Sequence, residues 1–205
     1  MNVLVATMMN ERYRGIANVS LPNMLEYCKH HNYHDAVIKL DDDVGFHYKK
    51  HEFFKQVFDT DIELIFYKDI DTIITNLTMP IWSFIDSEND LFITKDMMGV
   101  NGGVLIIKNT ECGRFVNDLI LEQRGRFNNE QEVMDELMKD PQFNQYVKIL
   151  PHPSINSYRY DLYQEFPEVR KPEQGMWHVG NFLLHTPALP FEQRESILRN
   201  AIITQ

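Results

Sequence analysis

"IELIFYKDIDTIIT", Ile62 to Thr75, decides how the chain reads. A β-forming apolar run leads into Asp69-Ile70-Asp71, and apolar residues resume at once. Along an extended segment alternate side chains share a face, so Asp69 and Asp71 turn to the same side. Two like charges held that close repel, and a cation is the natural compensation. Asp41/Asp43 and Asp59/Asp61 repeat the spacing in an acid-rich chain, so spacing alone discriminates little. Placement discriminates better. Only Asp69 and Asp71 follow directly on a strongly β-forming run, which puts them at a strand's carboxyl end, where α/β sheets bind ligands.

Outward from this stretch, strand-like and helical segments alternate. "NVLVAT" (2–7) reads as a first strand. Apolar residues recur at helical spacing through "GIANVSLPNMLEYCKHHNY". Pro22 predicts that this helix starts at Leu21, with Ser20 as its N-cap. "HDAVIKL" (34–40) is a second strand, and "HYKKHEFFKQVFDT" (47–60) a second helix. "DLFITKD" (90–96) and "GGVLIIKN" (102–109) are strands. "CGRFVNDLILEQ" (112–123) and "NEQEVMDELMKD" (129–140) are helices, the latter stopped by Pro141. "YVKILP" (146–151) is a late strand, "MWHVGNFLLHTPA" (176–188) strand or loop, and "PFEQRESILRNAI" (190–202) a terminal helix. Such alternation predicts an α/β fold with a mixed, mostly parallel sheet flanked by helices. One domain over 1–205 is expected, compatible with excision from a longer protein.

The 205 residues are 43% hydrophobic and 12% aromatic, enough for a core. A net charge of −10 argues against a nucleic-acid surface, which needs a basic stripe. No apolar run reaches the roughly 18 residues of a membrane helix. A strand-like run at the N-terminus leaves no room for a signal peptide, so a cytoplasmic location is expected. Cys28 and Cys112 are then reduced thiols, and the sequons at Asn18 and Asn76 are coincidence.

Two chemistries use an acidic pair in this position. In one, the carboxylates hold Mg2+ or Mn2+ against the diphosphate of a nucleotide-sugar. In the other, "DIDT" is a phosphatase motif of the haloacid-dehalogenase kind, whose first Asp attacks phosphorus. The second ranks lower, because that motif usually opens its domain and needs a later acidic pair. A domain that binds a nucleotide-sugar without turning it over is a third reading.

Further segments align in order with one known group. "NVLVATMMNERY", "NMLEYCKHHNYH", "LIFYKDIDTIITN", "VNGGVLIIKNTE", "NNEQEVMDEL", "KILPHPSINSY" and "GNFLLHTPA" together resemble the GT-A-fold, metal-dependent retaining glycosyltransferases. The likeness is to the galactosyl/mannosyl (family 34) and glycogenin-like (family 8) kinds, and to viral capsid-glycan glycosyltransferases. It covers nearly the whole chain. It implies transfer of a hexose or deoxyhexose from a UDP-sugar to a glycan or glycoprotein acceptor, in the host cytoplasm if the protein is viral. It also implies Mn2+ or Mg2+ held by Asp69, Asp71 and His185, with Asp69 also reaching the ribose or sugar. Glu130 and Gln131 are the catalytic candidates on the sugar side, Gln131 near the anomeric carbon. His178 is a weaker competitor for the metal.

The remaining donor-binding expectations rest on position. Thr7, Met8 and Met9 sit where the first strand ends, suited to nucleobase and ribose. Tyr13 is placed to stack on the base, and Arg14 (with Arg12) to reach phosphate. Lys55, with Lys50, precedes the acidic strand on a helix and is a candidate to neutralise the donor, although each also reads as a surface lysine. Asn101, Gly102 and Gly103 precede a strand, where glycines permit close approach to a ligand. The chain departs from the family at three points. Glu130 stands for an aspartate, "HTPALP" lacks the glycine after the histidine, and a closing Lys-Pro-Trp motif is missing.

Overall fold

The apolar run before Asp69 is strand β3 (Leu64–Lys68), all five of whose residues are buried. A strand buried on both faces belongs in the middle of a covered sheet. The computed structural model describes residues 1–41, 46–162 and 175–203. In it β1 (Val3–Met9), β2 (His34–Lys39), β3, β5 (Leu91–Asp96), β6 (Gly99–Lys108) and β7 (Val147–Leu150) form one sheet in the order β2-β1-β3-β6-β5-β7. Three of its five pairings are parallel (β1 with β2 and β3, β5 with β7), and β6 runs antiparallel to β3 and β5. A second sheet holds β4 (Thr72–Ile74), β9 (Leu183–His185) and β8 (Ser157–Tyr158) in the order β4-β9-β8.

The period of two divides the core. Leu4, Ala6, Met8, Ile65 and Tyr67 face one side, under α2 (Phe46–Val57), α3 (Glu111–Glu122) and α4 (Glu130–Leu137). Val3, Val5, Leu64 and Phe66 face the other, with Met24 and Tyr27 of α1 (Arg14–His31) and Phe182 beside β9. The β3 turn therefore sits between the large sheet and the small one. Helices α5 (Pro141–Asn144) and α6 (His152–Ile155) flank β7, and α7 (Phe191–Ile203) packs on α1.

Three expectations change. The first helix does not start at Leu21: α1 runs from Arg14 with Pro22 inside it. Its tertiary contacts override the proline. Ser20, expected as an N-cap, is buried and donates to the Thr72 carbonyl at 2.7 Å. Asn23 pairs with Ile74 in both directions, Nδ2 donating at 2.9 Å and Oδ1 accepting at 2.7 Å. Polar side chains thus dock α1 on the β4 edge. The helix expected over 129–140 ends at Leu137, and Pro141 instead opens α5 with Asp140 as its cap. The strands expected at 90–96 and 102–109 form one antiparallel pair, β6 starting earlier, at Gly99.

Candidate active site

Asp69 directly follows β3, and Asp71 ends the two-residue turn before β4. β9 pairs antiparallel with β4, which sets His185 opposite Thr72. Asp69, Asp71 and His185 thereby offer ligand atoms that all lie within 4.8 Å of one another. Gly103 makes this approach possible. A Cβ there would stand 2.7 Å from Asp69 Oδ2 and 2.8 Å from His185 Cε1.

Each of the three has one atom already engaged. Tyr67 Oη donates to Asp69 Oδ1 at 2.8 Å. Arg194 Nη1 donates to Asp71 Oδ2 at 2.8 Å. His185 Nδ1 is 2.8 Å from Asn156 Oδ1. His185 Nε2 is buried, makes no hydrogen bond and lies 3.4 Å from Asp71 Oδ1. Two carboxylates and an imidazole nitrogen with no other partner fit a divalent cation such as Mn2+ or Mg2+. The carboxylates are also driven apart. Burial, opposed by Lys50 and reinforced by the Asp71 charge, pushes Asp69 up. Asp71 resists burial and is held below the usual aspartate value by His185 and Arg194.

These groups line a cavity of about 480 Å³ that also takes in Met8, Met9, Tyr13, Lys50, Asn101 and Gln131. Glu130, which also lines it and is 1% exposed, starts α4. Lys50 Nζ, likewise buried, donates to Glu130 Oε1 at 2.6 Å and to the Gly102 carbonyl at 2.5 Å. His47 Nδ1 lies 3.0 Å from the other oxygen. Burial opposes the charge on Glu130, but Lys50 and His47 outweigh it and pull the carboxyl down to about 2. Gln131 Oε1 accepts from the Gly102 amide at 2.9 Å. A Cβ on Gly102 would stand 2.4 Å from Glu130 Oε1, so this glycine also serves packing.

Some expected residues are not brought here. Lys55 is on the surface, paired with Asp118 at 2.8 Å, because five residues after Lys50 places it well around the α2 helix. Arg14 is exposed and pairs with Glu11 at 2.8 Å. Thr7 is wholly buried in β1 and does not line the cavity. Tyr13 does, packed edge-on against Phe191 with ring centroids 4.9 Å apart. His178 is exposed. Of the rival acidic pairs, Asp59 and Asp61 are exposed turn residues, and Asp43 lies outside the described residues.

Other residues at the site were not singled out from sequence: Arg194, Tyr67, His47, Asp96, Asn156 and Tyr158. All six lie in quoted stretches, but nothing there marked a role for them. Arg194 sits in the first turn of α7 with no local signal. Ala188 settles one departure. Its φ of 59° is left-handed, so the loop after His185 keeps a backbone that glycine would favour, with alanine in its place.

No protein-family model matches the chain, and no curated protein sequence does. Solved structures match it closely in shape. A glycosyltransferase involved in glycosylation of the major capsid of PBCV-1 superposes with a TM-score of 0.71 at 15% identity, covering 98% of this chain and 100% of that one. The galactosyltransferase LgtC, in complex with donor and acceptor sugar analogues, gives 0.60 at 13% identity over 96% and 95% of the two chains. A Drosophila β-1,4-galactosyltransferase 7 mutant complexed with manganese, UDP-Gal and xylobiose gives 0.50 at 14% identity over 83% and 80%. The chain therefore has the GT-A fold of these glycosyltransferases.

Proposed function

We propose that the chain is a metal-assisted glycosyltransferase moving a hexose or deoxyhexose from a UDP-sugar to a glycan acceptor. One observation carries this: Asp69, Asp71 and His185, from a strand end, a turn and a second sheet, converge on the wall of one cavity. When bound, Mn2+ or Mg2+ would offset charge on the departing nucleoside diphosphate. Asp69, Asp71 and His185 Nε2 would hold it. The manganese and UDP-Gal in the Drosophila galactosyltransferase support this choice of donor and ion.

The chain's own groups suit the rest. Met8, Met9 and Tyr13 form an apolar wall for the nucleoside. Lys50 and Arg194 place two cations on the cavity walls, where an anionic donor would lie. Gln131 would sit at the sugar. Glu130 is committed to Lys50 and His47, which suits a fixed donor wall better than a nucleophile. A retaining transfer in which the acceptor attacks on the leaving-group side fits best, because it needs no enzyme nucleophile. The likeness to the PBCV-1 capsid glycosyltransferase favours a capsid glycan as acceptor, made in the host cytoplasm. Among the described residues no helix is long and apolar enough to cross a membrane. The phosphatase reading is not favoured: the third group brought to the aspartates is an imidazole, and the lysine beside Asp69 turns away to Ser20 and Thr72.

The test is thermal unfolding with UDP, with and without Mn2+, followed by a screen of UDP-sugars for Mn2+-dependent hydrolysis. A ligand at about 100 times its Kd stabilises the native state by about 2.7 kcal/mol. Stabilisation and turnover that both need Mn2+ are expected. Stabilisation without turnover of any UDP-sugar would leave a binding domain. No stabilisation by UDP and Mn2+, against a clear response to phosphate analogues, would overturn the proposal.

A further inference from the structure

A chain of hydrogen bonds behind the metal-ligand cluster has a fixed direction. Asp96, at the end of β5, accepts as a carboxylate and cannot donate. Its Oδ2 accepts from Tyr158 Oη at 2.8 Å and from Asn101 Nδ2 at 3.0 Å. Tyr158 has one hydroxyl proton, and Asp96 takes it. At its other polar contacts the Tyr158 oxygen must therefore accept, from Asn101 Nδ2 at 2.8 Å and Asn156 Nδ2 at 3.4 Å. The amino end of Asn156 thus faces Tyr158 and Thr94 Oγ1, the latter at 3.1 Å. Its carbonyl end is left to face His185 Nδ1 at 2.8 Å. An amide oxygen only accepts, so the proton in that contact belongs to His185 Nδ1. Asn156 is fully buried, and Tyr158 is nearly so.

We infer that Asn156 is a positioning residue that holds His185 in the Nδ1–H tautomer and so presents Nε2 as a cation ligand. Nε2 is then the nitrogen that faces Asp71 Oδ1, 3.4 Å away. The other tautomer would aim a proton into the cluster, where it bars a cation. Asp96 and Tyr158 act at one remove, by fixing which way the Asn156 amide points. The inference rests on the metal reading above for its purpose, but the proton on Nδ1 does not depend on any ion being bound.

The experiment is a long-range proton–nitrogen correlation spectrum of the metal-free full chain, labelled with nitrogen-15 histidine, with His185→Gln used to assign the ring. His185 is expected with a proton on Nδ1, whether or not Nε2, beside Asp71, carries a second one. A proton on Nε2 with none on Nδ1 would overturn the inference, and this holds whether or not any variant folds. In Asn156→Leu the Nδ1–H preference should be lost, and Mn2+ affinity, titrated calorimetrically with UDP present, should fall about 10- to 100-fold. Asn156→Asp still accepts from Nδ1 and should restore both. An Asn156→Leu protein that keeps the Nδ1–H tautomer would equally overturn it. A wild-type His185 with the expected tautomer but no Mn2+ binding would instead defeat the metal reading and leave the positioning role standing.

Discussion

At the residue scale, Asp71 and Glu130 show how one cavity treats its carboxylates differently. Asp71 stays ionised because His185 and Arg194 face it, despite burial. Asp71→Ala removes the carboxylate between them, and, on the proposed metal site, the Mn2+ dependence of UDP stabilisation should vanish. An unchanged dependence, read by thermal unfolding, would move the metal elsewhere. Glu130 is a buried anion whose charge is tolerated because Lys50 and His47 sit on it. Removing one partner of such a pair strands the other, at about 3–5 kcal/mol. Lys50→Met should therefore lower stability by about that amount in urea unfolding, and Glu130→Gln in the same chain should recover much of it. Equal stability of Lys50→Met and wild type would mean that the pair is solvated. Sequence pointed to Lys50 and Lys55 alike, and helix geometry separated them: one is buried at the site, the other paired on the surface.

At the scale of elements, the loop from β9 to α7 carries His185 at one end and Arg194 beyond the other. Ala188, with φ near 59°, bears the strain of that turn, and a left-handed alanine costs roughly 1–2 kcal/mol. Ala188→Gly relieves it, less the extra freedom glycine gains when unfolded. Thermal unfolding should show a stabilisation of up to about 1 kcal/mol, whereas the β-branched Ala188→Val should destabilise. A more stable valine variant would show that the turn carries no strain. Gly103 sets the same kind of limit on β6. Gly103→Ala should fold but place its methyl against Asp69 and His185, so UDP stabilisation should lose its response to Mn2+ before overall stability falls much. Strand and helix types were legible in the alternation of apolar residues. The start of α1 was not, because Ser20, Asn23 and Pro22 take their places from β4, which meets them only in the fold.

At the scale of the whole molecule, acid stability reports on the packed interior. His51, between α2 and α3, is fully buried, and burial with Lys50 beside it pulls its ring down to about 4. Between about 6.5 and 4 the unfolded chain therefore binds more protons at this site than the folded one, so stability rises with pH across that window. Its contribution is complete above about pH 6.5 and lost on falling to pH 4, worth about 3 kcal/mol. Glu130, held at about 2, extends the loss below pH 4.5, where an unfolded glutamate protonates first. Urea unfolding against pH should show both limbs, and His51→Gln should flatten the upper one; an unaltered upper limb would assign it to another group. The sequence by itself determined the alternating α/β plan, the strand that ends in Asp69, and the order of motifs that singled out Asp71 and His185. The first two follow from local periodicity, and the third from the resemblance to a known family. Only the tertiary structure decided which polar groups stand behind them. Arg194, Tyr67 and Asn156 reach Asp71, Asp69 and His185 from a helix, a strand and a loop. Two of the three lie far from their partner in the chain, and a direction of hydrogen bonding exists only once all the groups are in place.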